Sequence, residues 1–91
     1  VIDLQEKARR IVFDYVKSRL EIIDEEETLK SMDQVRVSWW SKTLGNWKAL
    51  VITDRNDGMY YEVIHDGERR VTFLDAYIKV ENLEIPDAED G

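Results

Sequence analysis

The sequence predicts an α+β domain: an N-terminal helix, a four-stranded antiparallel meander and a C-terminal helix, with both helices on one face of the sheet. Three observations carry this. Apolar residues recur at helical spacing near the N-terminus, they alternate with polar ones from Val35 onward, and turn-forming residue pairs interrupt the alternation at short intervals. Length agrees with a single unit, because a chain of 91 residues buries only about 60–65% of its unfolded surface and can build one core.

The first helix is expected over residues 4 to 22. Asp3 with Glu6 three residues later makes a capping-box-like start, and Leu4, Ala8, Ile11, Val12, Tyr15, Val16 and Ile23 follow at helical spacing. Lys7, Arg9, Arg10, Asp14 and Lys17 fall on the wet side, with Arg10 and Asp14 spaced to pair. Four consecutive acids, Asp24 to Glu27, then break the pattern. Such a run belongs to a solvated connection, pinned here by Leu29 and Met32 through a short helical turn.

From Val35 the period is two. Val35, Val37 and Trp39 alternate with Arg36, Ser38 and Trp40, so the first strand should place Trp39 and Trp40 on opposite faces. Residues 41 to 46 carry the turn, with reversal at Gly45-Asn46, and Trp47 to Thr53 returns as the second strand. Arg55-Asn56-Asp57-Gly58 is a turn, and Met59 to His65 is a third strand rich in aromatic and β-branched residues. Asp66-Gly67 has the signature of a type I′ hairpin leading into a short fourth strand, Glu68 to Thr72. Thr72 and Asp75 can start the last helix, in which Phe73, Ala76, Tyr77 and Val80 share a face; it should end near Asn82, before Pro86. The domain is therefore residues 1–83, with 84–91 an acidic flexible tail.

Both faces of this sheet are apolar. Val35, Val37, Trp39, Trp47, Ala49, Val51, Tyr61 and Val63 lie on one; Trp40, Leu50, Ile52, Tyr60 and Ile64, with Arg36, Lys48 and Glu62, lie on the other. Two helices on one face leave the second as a patch larger than monomers tolerate. Self-association to a homodimer, or binding of a protein partner, is expected through that face or the 41 to 46 loop, with Arg36, Trp40, Lys42, Lys48 and Tyr60 as the contact residues. Tryptophan and arginine suit such a contact.

Charge and chemistry narrow the alternatives. A net charge of −7 opposes sequence-independent nucleic-acid binding, which rests on cations displacing counterions from phosphate. From Gln34 to Thr53 there is no acid, so the Trp40 face could still stack weakly on bases. The order of elements is also that of double-stranded RNA-binding domains, but the expected last helix offers only Lys79 beside Asp75 and Glu81. No cysteine and a single histidine, His65, leave neither a thiolate nor a zinc set, and His65 beside a turn is a poor member of a Ser-His-Asp triad. No catalytic residue, metal or cofactor is expected. A rival arrangement is a small enzyme or ligand-binding domain with a pocket between sheet and last helix, lined by Tyr60, His65 and Asp75. No apolar run reaches membrane-span length, and Val1-Ile2-Asp3 lacks the layout of a secretion signal, so a cytoplasmic location is expected.

VSWWSKTLGNWKALVIT, DGMYYEVIHDGE and FLDAYIKVENLEI together resemble a family of small uncharacterised proteins encoded by phages and prophages of Gram-positive bacteria. The resemblance covers roughly residues 8 to 83 and is most specific at W-S-K-T-L-x-N-W-K-A-L and D-G-M-Y-Y-E-V. It carries no activity, ligand or catalytic residue. It implies a setting: a phage accessory protein inside a bacterial host, acting by binding, where an acidic surface can also mimic nucleic acid toward a basic partner.

Overall fold

The computed structural model describes residues 3–23 and 28–88. Asp3 caps the first helix, its carboxylate accepting from the backbone N–H of Gln5 at 3.0 Å and of Glu6 at 3.2 Å. Helix α1 (Leu4–Tyr15) runs through a π-helical segment (Val16–Leu20) into the short α2 (Glu21–Ile23). Ala8, Val12 and Val16, spaced by four, form its buried stripe. The acids Asp24 to Glu27 lie outside the described residues. Where the chain returns, the Glu21 carboxylate accepts from the Leu29 N–H. Leu29 is buried, and Met32–Gln34 forms a 3₁₀ turn.

Strands β1 (Val35–Thr43), β2 (Asn46–Thr53), β3 (Met59–Asp66) and β4 (Val71–Ile78) form a four-stranded antiparallel meander in chain order. The helix packs on the face carrying Val35, Trp47, Ala49, Val51, Tyr61 and Val63, which with Ala8, Val12, Val16 and Leu29 make the core. It meets β1, β2 and β3. Arg9 ties it to the start of the sheet, donating to the carbonyls of Val35 at 2.7 Å and Met32 at 2.6 Å.

The expected C-terminal helix is instead β4, and residues 79–88 have no regular secondary structure. The spacing of Phe73, Ala76 and Tyr77 fits a helix, but VTFLDAYI is dominated by residues that pack well on a pleated surface. Pairing along the whole of β3, from Asp66↔Val71 to Met59↔Ile78, supplies the contacts that decide between the two. Among the described residues one helix, not two, covers the sheet.

The reversals differ from their expected form as well. β1 and β2 are joined by Leu44-Gly45, with Thr43 opposite Asn46, and the positive φ falls on Leu44 (56°) rather than on glycine. The Asp66-Gly67 signature opens a four-residue loop, Gly67 to Arg70, whose left-handed residue is Arg70 (φ 57°). Gly67 is required for another reason. A Cβ on Gly67 would stand 2.3 Å from the Gly45 carbonyl oxygen, so two bare backbones touch where the hairpin tips meet. The Asn46 side-chain oxygen accepts from the Gly67 N–H at 2.8 Å and completes the junction.

Leu44 sits in a conformation that costs a branched side chain roughly 1–2 kcal/mol, and at 90% exposure it recovers little of this by burial. Leu44→Asn, which tolerates left-handed backbone, is expected to stabilise the fold by about 1 kcal/mol, seen as a rise in Tm of about 4 °C or more.

Candidate protein-docking face

A β-bulge decides which side chains reach the open face. In β1 the register runs Val37↔Val51 and then Trp39↔Leu50, so Ser38 is the extra residue, its hydroxyl donating to the Leu50 carbonyl at 3.2 Å. Alternation restarts one residue late. Trp40 therefore stands opposite Ala49 on the helix-covered face, and Trp39 stands opposite Leu50 on the open one. This reverses the expected placement of the two tryptophans. Trp39 is 48% exposed, whereas Trp40 packs against the core and stacks on Trp47 with centroids 5.2 Å apart. Trp47 stacks in turn on His65 at 5.5 Å, giving a three-ring column on the covered side.

Of the five expected contact residues, Arg36, Lys48 and Tyr60 lie together on the open face. Trp40 and Lys42 do not: Lys42 is opposite Trp47, on the helix side. Arg36 pairs with Asp54 at 2.8 Å and Lys48 with Glu62 at 3.8 Å, both exposed pairs that orient more than they stabilise. Tyr60 stacks on its cross-strand partner Tyr77 at 5.1 Å. Desolvation, then the carboxylates of Glu62 and Asp75, hold the Tyr77 hydroxyl above the ordinary tyrosine range.

The strand assignment of residues 71–78 adds Phe73 and Tyr77 to this face, side chains that the helical reading had turned toward the sheet. The open face then carries Trp39, Ile52, Tyr60, Phe73 and Tyr77, each between 36% and 48% exposed. Two shallow hollows indent it. One, of about 660 Å³, is bounded by Trp39, Ser41, Lys48 and Ile64 near the hairpin tips; the other, of about 450 Å³, by Leu50, Ile52, Tyr60 and Lys79. The tandem Trp39-Trp40 was the available sequence signal, since adjacent aromatics put one ring on each face whatever the register. Nothing local marked the bulge.

The helix expected to wall the rival pocket is instead β4, a strand of the same sheet. Its lining is also divided: Tyr60 and Asp75 are on the open face, while His65 is on the covered face, its Nδ1 2.9 Å from the Thr72 hydroxyl. Among the described residues no group of three or more His, Cys, Asp or Glu side chains is placed to hold a metal ion, and no helix is long and apolar enough to cross a membrane.

Neither a curated protein nor a solved structure matches this chain. A family model does match, over residues 5–87, and spans the helix, the whole meander and the segment beyond β4: the chain belongs to DUF6275, a family of unknown function.

Proposed function

We propose that this is a non-enzymatic phage or prophage accessory protein, working in the cytoplasm of a bacterial host, that binds a protein partner through the open face of its sheet. The observation that carries the reading is the uncovered aromatic surface of Trp39, Tyr60, Phe73 and Tyr77, opposite a face on which the only described helix packs. Apolar patches of this kind, rimmed by charged residues, mark interaction sites. Rigid aromatic side chains supply much contact area for little lost conformational entropy, and they dominate binding energy where they occur. Arg36, Lys48 and Glu62 form the polar rim. The phage setting rests on the resemblance of the VSWWSKTLGNWKALVIT and DGMYYEVIHDGE segments.

The test is affinity capture from a bacterial host lysate, followed by measurement of Kd with the purified partner. Trp39→Ala should weaken binding by about 30-fold, the size of a central aromatic contact. Trp40→Ala, which touches only the covered side, should lower Tm and leave affinity within about two-fold at a temperature where it is folded. Unchanged affinity for Trp39→Ala, with loss for Trp40→Ala, would refute the open face as the docking surface.

A further inference from the structure

The chain exposes 7048 Å² of surface, against about 5,500 Å² for a compact monomer of 10.8 kDa. The excess, about 1,500 Å² per chain, exceeds the roughly 800 Å² per partner of a standard interface. Its radius of gyration, 15.6 Å, likewise exceeds the about 12 Å expected at this length. Four of the most exposed large apolar side chains cluster at one end of the sheet. Ile78, Val80, Leu83 and Ile85 are 64%, 95%, 68% and 81% exposed, all on the end of β4 or on the segment that follows it.

β4 is one of the two sheet edges, and the edges are not alike. The β1 edge is interrupted by the Ser38 bulge, and Arg9 occupies its first carbonyl. β4 is regular over all eight of its residues, and its only charged side chain is Asp75. Leu74 packs against the core, but the rest of the strand's end is open: Ala76 and Ile78 are exposed on the helix side, as Phe73 and Tyr77 are on the other. A long, regular, weakly charged edge whose end is bare on both faces is a template for pairing with another strand.

We infer that two copies of this chain join edge to edge through β4, forming a continuous eight-stranded sheet, and that each C-terminal segment crosses to the partner and packs Val80, Leu83 and Ile85 on it. A second copy fits best because β4 pairs with itself antiparallel about a two-fold axis, which closes the assembly without leaving a new edge of the same kind. The strap has the reach: residues 79–88, extended, span about 33 Å, longer than the about 26 Å of an eight-residue strand. An exchanged terminal segment is also a low-cost route to a dimer. This inference is separate from the open-face reading, to which β4 lends the side chains of Phe73 and Tyr77 but not its edge, and in which Trp39 lies on the opposite edge strand.

Sedimentation equilibrium on the full chain should show a dimer at micromolar concentration. Leu83→Asp/Ile85→Asp, which alters only exposed side chains and so leaves the monomer folded by circular dichroism, should raise the dimer Kd by about 100-fold or more. Hydrogen exchange should show alternate β4 amides protected in the dimer and released in this variant. Trp39→Ala should leave the dimer intact while weakening the open face, so the two proposals fail separately. A monomer at high micromolar concentration overturns the inference. So does a dimer that survives Leu83→Asp/Ile85→Asp with freely exchanging β4 amides, or one dispersed by Trp39→Ala, which would signal face-to-face packing instead.

Discussion

Tyr61→Ala is expected to lower the stability of the fold by about 3–5 kcal/mol, a large share of the about 5–15 kcal/mol available to a domain of this kind. Tyr61 is fully buried. It meets the ring of Tyr15 edge-on at 5.9 Å and lies between Val51 and Ala76 in the sheet, so its removal opens a cavity where helix and sheet join. Urea denaturation should show a midpoint shift corresponding to that loss. Tyr61→Phe should act in the opposite direction, by about 1 kcal/mol, because the hydroxyl is buried with no hydrogen-bond partner among the described residues and its desolvation is not repaid.

The same hydroxyl sets an alkaline limit. Burial, and then the Asp57 carboxylate, push the Tyr61 pKa up to about 12 from an ordinary 10.0. Below the ordinary value both folded and unfolded chains keep the proton, and stability does not depend on this group. Above it the unfolded chain releases a proton that the folded chain retains, so stability falls as pH rises through the interval between the two values, by about 3 kcal/mol in all. Absorbance titration should show one tyrosine ionising only as the protein unfolds, and Tyr61→Phe should remove that contribution to alkaline unfolding.

The second large effect is expected at Asp57, for which Asp57→Ala should cost about 3 kcal/mol. One carboxylate oxygen receives the Arg55 Nε–H at 2.7 Å and the other receives the Met59 backbone N–H at 3.0 Å, closing the turn into β3. The Arg55 side chain is only 3% exposed. Deleting the acid takes one charged partner from a buried guanidinium and the acceptor from the Met59 N–H, and both losses fall in a desolvated turn. Asp57→Asn separates the two roles, since its carbonyl can still accept from Met59; about half the loss should return. Denaturation at raised ionic strength should leave the difference nearly intact, because buried pairs are weakly screened.

Much of this fold was legible because its signals are local. The Asp3 cap, the Ala8-Val12-Val16 stripe and the change of period at Val35 each depend on a few neighbouring residues. The misassigned parts depend on distant ones. Residues 71–78 satisfy both periods, and only the length of β3 beside them selects the strand. The Ser38 bulge is equally silent, since Trp39-Trp40 offers an identical side chain to each face in either register. An inverted assignment therefore violates no local rule. As a result Arg36, Lys48 and Tyr60 fall on the expected face while Trp40, which follows the bulge, does not, and Lys42, expected in the turn, belongs to β1 on the helix side.

The contact between Gly45 and Gly67 binds the history of two loops together. Each hairpin tip is short and superficial, the sort of place where chains ordinarily gain or lose residues without consequence. Here the tips share one van der Waals boundary, with the Asn46 side chain reaching across it. A side chain on Gly67 would displace the Gly45 backbone, and an added residue at either tip would disturb the shared junction, so insertions in the two loops are coupled. For anyone inserting a tag, label or epitope, the two most accessible-looking ends of the sheet behave as a single site.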